Sequence, residues 1–152
     1  MWSKKRIVWF VLMIATMAII FYFSNQPGEK SGAVGNAVAQ SMNIPPTNPW
    51  VDESHTKLLF GLNLRKWAHI GLFAILGCCA VGLTVSGMKA VGICFCYAVF
   101  DELHQLFVDG RDARIEDIFI DAIGFLAVAL LYHVWQLLKR KYWLRCEETN
   151  SQ

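Results

Sequence analysis

Charge is scarce in this sequence. Only 17% of its 152 residues are Asp, Glu, Lys or Arg, against roughly 25% in an ordinary soluble domain. That charge gathers at the N-terminus, in one central loop and at the C-terminus, with long apolar blocks between. The distribution excludes a water-soluble core and fits a single polytopic membrane domain. A large charge excess is missing too. The net charge is +2, and the Lys and Arg residues stand at block boundaries. With no basic groove and no recognition module, nucleic acid is excluded as a partner. A disulfide framework is also lacking. The five cysteines are an odd number; Cys78, Cys79, Cys94 and Cys96 lie in apolar blocks, and Cys146 lies in the tail. Cys94 and Cys96 would point about 200° apart on a helix, so they cannot share a metal. All read as small apolar packing residues. There is no internal repeat and no low-complexity tract.

What is present is a set of four blocks of the roughly 17–25 residues a bilayer requires. They run over about residues 7–23, 67–86, 90–108 and 117–138. Lys4, Lys5 and Arg6 precede the first block as they would in a signal peptide, but Tyr22-Phe23-Ser24 is not a small-x-small cleavage site. The block is therefore expected to remain as a helix. Basic residues set the orientation. An N-inside arrangement places Lys4, Lys5, Arg6, Lys89, Lys139, Arg140, Lys141 and Arg145 in the cytoplasm and leaves six outside. The expectation is an all-α, four-helix transmembrane bundle over residues 1–152, in the bacterial cytoplasmic membrane. Both termini would be cytoplasmic, with a long outer loop at 24–66, a short outer loop at 109–116 and a cytoplasmic tail at 139–152. Within the long loop, 31–42 could form a surface helix and 45–50 is extended, because successive prolines oppose helix. Residues 55–64 are apolar enough for the membrane interface.

The stretch FDELHQLF, 100–107, breaks the apolar pattern of the third block. At roughly 100° per residue, Asp101, Glu102, His104 and Gln105 fall in one arc of about 160°. Val99, Phe100, Leu103, Leu106 and Phe107 fill the other side. The polar arc must face inward, because a charge at mid-bilayer costs at least about 2.5–3.5 kcal/mol. A helix ending near 108 would put Asp101 about seven residues, or roughly 10 Å, from its outer end. Arg65 and His69, four apart, open the second block on one face, and Asp117 and Asp121 do the same for the fourth. Gly124 continues their stripe and permits close helix approach. Arg111 and Arg114 occupy the short loop. The topology brings Arg65, His69, Asp101, Glu102, His104, Gln105, Arg111, Asp117 and Asp121 to one end of the bundle.

These residues carry a resemblance. FSNQ ending the first block, RKWAH opening the second, and DELHQLFVDGRDARIEDIFIDAIG resemble the VanZ-like family of bacterial membrane proteins, from about Tyr22 to Val128. The matching positions are Arg65, Lys66 and His69; Asp101, Glu102, His104 and Gln105; Gly110 and Arg111; Asp117, Asp121 and Gly124. The resemblance implies a four-helix integral membrane protein, and the founding member is associated with resistance to the glycopeptide teicoplanin. Three positions depart from the pattern: Phe73 stands where Tyr is frequent, Asp121 where Asn is common, and Val128 where Gly is frequent.

So many ionisable and amide groups exceed what helix packing needs, since interhelical hydrogen bonds average only about 0.6 kcal/mol. A functional pocket is the expected reading. Arg65 and Arg111 could bind an anionic headgroup, as on a lipid-linked cell-wall precursor, and His69, Gln105, Asp117 and Asp121 would line its site. Asp101, Glu102 and His104 would position the headgroup or act as acid and base. His69, His104 and the carboxylates suit a metal, but there is no His-Glu-x-x-His and the arginines compete for the acids, so no metal and no cofactor is assigned. No Ser or Cys nucleophile stands near the cluster in the sequence. Taken with the resemblance, the expected function is lowered teicoplanin access to cell-wall precursors, with membrane lipids as partners. A hydrolase or transferase on a lipid-linked substrate is the alternative. A small transporter or proton relay is the third reading; four helices would need a homo-oligomer for that task. His133 and Trp135 read as inner-interface residues.

Overall fold

In a computed structural model of the chain, residues 3–27, 37, 41, 64–111 and 114–150 are described. Among them are four helices: α1 (Lys4–Ser24), α2 (Leu64–Thr84), α3 (Gly87–Gln105) and α4 (Ile115–Asn150). The readings of 31–42, 45–50 and 55–64 lie outside the described residues, apart from Ala37, Ser41 and Leu64. Local chemistry starts two of the helices. Ser3 caps α1 by accepting from the Arg6 amide at 3.4 Å, and Ser86 caps α3 by accepting from the Lys89 amide at 3.5 Å.

The fold is an all-α four-helix bundle. α1 packs on α2 and α3, and α4 packs on the same two helices. α2 and α3 also touch, so they form the central pair. The core holds Met13, Ile20, Phe73, Leu76, Cys79, Ala80, Cys94, Ala98 and Phe125. Tyr97 ties α3 to α1 through a hydrogen bond from its hydroxyl to the Met17 carbonyl at 2.6 Å. Large apolar side chains cover the outside: Ile7, Val8, Phe10, Leu12, Ile75, Phe119, Leu130 and Leu131 are exposed. In water that surface would aggregate; in a bilayer it meets hydrocarbon.

Among the described residues, three helices are long and apolar enough to cross a membrane: Lys4–Ser24, Arg65–Thr84 and Ile115–Tyr142. The chain is a multi-pass membrane protein. The sequence reading expected a fourth crossing over 90–108. α3 has 19 residues, but Lys89, Asp101 and Glu102 give it too much charge to qualify by composition alone. It also ends sooner than expected, at Gln105, where the Phe107 and Val108 amides turn back to His104 and Gln105. Asp101 is therefore one turn, about 6 Å, from the helix end rather than two. At the other extreme, the segment expected to be a tail continues α4 as helix through Asn150.

The α2–α3 turn is tight, and Val85 adopts a positive φ of 52° there. A β-branched residue in the left-handed region is strained by about 1–2 kcal/mol. Its side chain is 62% exposed, so little packing depends on it. Val85→Gly is expected to raise the melting temperature in detergent by about 2–4 °C, as about 1 kcal/mol does for a chain this size. An unchanged or lower value would show that the turn carries no strain.

Candidate functional site

Alternation of helix direction brings the C-terminal ends of α1 and α3 beside the N-terminal ends of α2 and α4. The polar residues meet at that end, where the mutual contacts are explicit. Ser24 Oγ donates to Asp101 Oδ2 at 2.8 Å, and Gln105 Nε2 donates to the same oxygen at 3.0 Å. Arg65 Nη2 donates to Gln105 Oε1 at 2.5 Å. Lys66 Nζ pairs with Asp117 Oδ1 at 2.7 Å, and His69 Nδ1 lies 3.4 Å from Asp121 Oδ1. Glu102 Oε1 accepts from the Arg114 amide. Asp101 and Ser24 are wholly buried, and Glu102, Gln105, His69, Arg111 and Asp121 are nearly so. Polar groups this deep must find partners, since each orphan costs about 1–3 kcal/mol.

A small cleft opens beside this network. It is lined by Arg65, Lys66, His69, Glu102, Gln105 and Asp117, with Ile120 and Asp121 completing it. Asp101 stands one layer behind, bonded to Gln105. Two residues expected at the pocket point elsewhere. His104 stacks on Phe21 with ring centroids 4.4 Å apart, and its Nε2 is 3.3 Å from Asn25 Oδ1. It occupies the edge of the polar arc that faces α1. Arg111 spends its donors on the chain itself: Nε on the Gln26 carbonyl at 2.9 Å, Nη2 on the Phe23 carbonyl at 3.0 Å and Nη1 on Gln105 Oε1 at 3.4 Å. Two of those acceptors are carbonyls at the end of α1, where a cation also complements the helix dipole. Burial first, and Arg65 second, bring the Arg111 guanidinium down to about 10, with Asp101, Glu102 and Asp117 opposing. It remains charged at neutral pH.

Two participants were not foreseen. Ser24 joins the cluster from α1, which corrects the expectation that no serine stands near it. Its hydroxyl is committed to Asp101, so it is placed to hold the carboxylate rather than to attack. Lys66 lines the cleft beside Arg65. The sequence signal for both is the resemblance, since Ser24 lies in FSNQ and Lys66 in RKWAH, but it alone assigns neither to the site.

The close approach of α2 and α4 has a local cause. A Cβ on Gly124 would collide with the Ile70 carbonyl oxygen and would come within 2.9 Å of the Ala74 amide nitrogen. Backbone sits on backbone here, one turn from the His69–Asp121 contact.

The family model described as VanZ/LLP1 matches residues 9–136, most of the chain and every residue of the cleft. No curated protein and no solved structure matches the chain.

Proposed function

We propose, for a chain that belongs to the VanZ/LLP1 family and crosses the membrane more than once, a role at the outer face of the bacterial cytoplasmic membrane. There it lowers the access of teicoplanin-type lipoglycopeptides to lipid-linked cell-wall precursors. Basic residues support the orientation, with eight on the side of both termini and six on the other. α3 makes the fourth crossing, its acids turned into the bundle and Phe95, Phe100 and Leu103 turned outward.

The observation that carries this reading is the cleft. Arg65 and Lys66 stand at its wall, and a guanidinium with one N–H on Gln105 has others to offer an anionic headgroup. Glu102, Gln105, His69 and Asp121 would orient that headgroup. His104 and Arg111 serve at one remove, by fixing the end of α1 against the site.

The test is antibiotic susceptibility in a sensitive Gram-positive host expressing wild type, Arg65→Ala or Asp121→Asn, with membrane abundance measured in parallel. Teicoplanin protection is expected, greater than any for vancomycin, and lost in Arg65→Ala at wild-type abundance. Absence of protection at full expression would reject the resistance role.

The enzyme reading has its own support: the His69–Asp121 pair shares the cleft with Glu102, whose Oε2 has no hydrogen-bond partner among the described residues. Such a set can move a proton, and it predicts turnover of a lipid-linked substrate that His69→Ala abolishes. A proton relay has less support, because the core below the cluster is Phe73, Leu76, Cys79, Ala80 and Cys94.

A further inference from the structure

His69, Asp101 and Asp121 come from three different helices, yet their ligand atoms lie within 4.8 Å of one another. All three residues are buried. A hydrogen bond between His69 and Asp121 explains those two side chains. It does not explain Asp101. Asp101 Oδ2 is engaged by Ser24 and Gln105, while Oδ1 has no hydrogen-bond partner among the described residues, in a residue with no exposed surface. A carboxylate oxygen left bare at such depth wants either a proton or a cation. The surroundings favour a cation. Asp101, Glu102, Asp117 and Asp121 are four buried or half-buried acids, against three cations of like burial, Arg65, Lys66 and Arg111. Arg65 and Arg111 converge on Gln105 Oε1 instead of on Asp101.

We propose that His69, Asp101 and Asp121 bind a divalent transition-metal ion of the zinc or manganese class at the floor of the cleft. One imidazole nitrogen and two carboxylate oxygens form a donor set suited to these ions, and no cysteine shares it to select a softer metal. The separation of His69 Nδ1 from Asp121 Oδ1, 3.4 Å, equals the edge of a tetrahedron with ligands at about 2.1 Å. Asp101 also has the outer support that metal-binding carboxylates show. Ser24 and Gln105 hold its second oxygen, and Arg65 and Arg111 hold Gln105 in turn. Three protein ligands leave a coordination position open toward the cleft. The site is independent of the resistance role above; if that role holds, the ion would add positive charge where the headgroup binds.

The test uses full-length protein in detergent, purified without a metal-binding tag, stripped with chelator and titrated with Zn²⁺, Mn²⁺ and Co²⁺ alone. The expected result is one ion per chain, with Co²⁺ giving the visible bands of a four- or five-coordinate site. His69→Ala and Asp121→Asn should each weaken binding by about a hundredfold or more. Ser24→Ala, a change behind the ligand, should weaken it by about tenfold. Asp109→Asn, on an exposed loop acid, should leave it unchanged. Wild type alone is decisive if the variants do not fold: failure to take up a stoichiometric ion overturns the proposal. Undiminished binding in folded His69→Ala and Asp121→Asn overturns it equally.

Discussion

Asp101→Ala is expected to reduce the folded protein in the membrane several-fold, whatever the protein does there. Asp101 Oδ2 accepts from Ser24 and from Gln105, so it joins α1 to α3 and fixes the amide that Arg65 and Arg111 share. Alanine removes both acceptor bonds and leaves two donors in a dry interior. Each orphaned donor costs about 1–3 kcal/mol, a large share of the stability of a single domain. Asp101→Asn is the informative companion. It keeps the shape and one accepting oxygen, and it removes the charge. Abundance near wild type for Asp101→Asn, with teicoplanin protection or metal uptake lost, would separate the chemistry of the carboxylate from its structural role. Size-exclusion profiles of a fluorescent fusion report the folded fraction. Wild-type abundance for Asp101→Ala would show that the network contributes nothing to stability.

The second large effect is expected at Gly124. A methyl group there meets the Ile70 carbonyl and the Ala74 amide, and backbone atoms cannot rotate away as a side-chain end can. Overpacking of this kind costs about 1–3 kcal/mol, so Gly124→Ala should lower the melting temperature by several degrees, at about 2–4 °C per kcal/mol. The same wedge acts on the site. It parts α2 from α4 one turn from the contact between His69 and Asp121, so ligand or metal affinity should fall even in the surviving folded fraction. A variant that melts with wild type would show that the helices can separate at no cost.

The fold was legible because its signals are local. Block lengths announced the helices, and the arc of Asp101, Glu102 and Gln105 on α3 announced which side turned inward; those three are buried. Local signals also misled. Leu106, Phe107 and Val108 read as more membrane helix, whereas the chain turns there and passes Gly110 at a positive φ of 70°. α3 lost its composition signal for the reason it is interesting: its acids are meant for partners, not for lipid. The site was only half legible, because a polar residue is assigned to a cleft or to a scaffold by contacts far along the chain. His104 sits at the margin of its arc, and only Phe21 and Asn25 decide which way it faces. Arg111 reads as a loop cation free to meet a ligand, and the Phe23 and Gln26 carbonyls at the end of α1 claim it.

The bond from Arg111 to Phe23 spans 88 residues of chain, and the bond from Ser24 to Asp101 spans 77. During synthesis α1 leaves the ribosome first, but the bonds from Arg111 to the Phe23 and Gln26 carbonyls and from the Ser24 hydroxyl to Asp101 cannot form until α3 and the loop beyond it have emerged. Insertion of the first helix and completion of its end are therefore separate events. A nascent chain interrupted before Arg111 would hold α1 in the bilayer with that end unfinished, and the cleft would be among the last features of the protein to take shape.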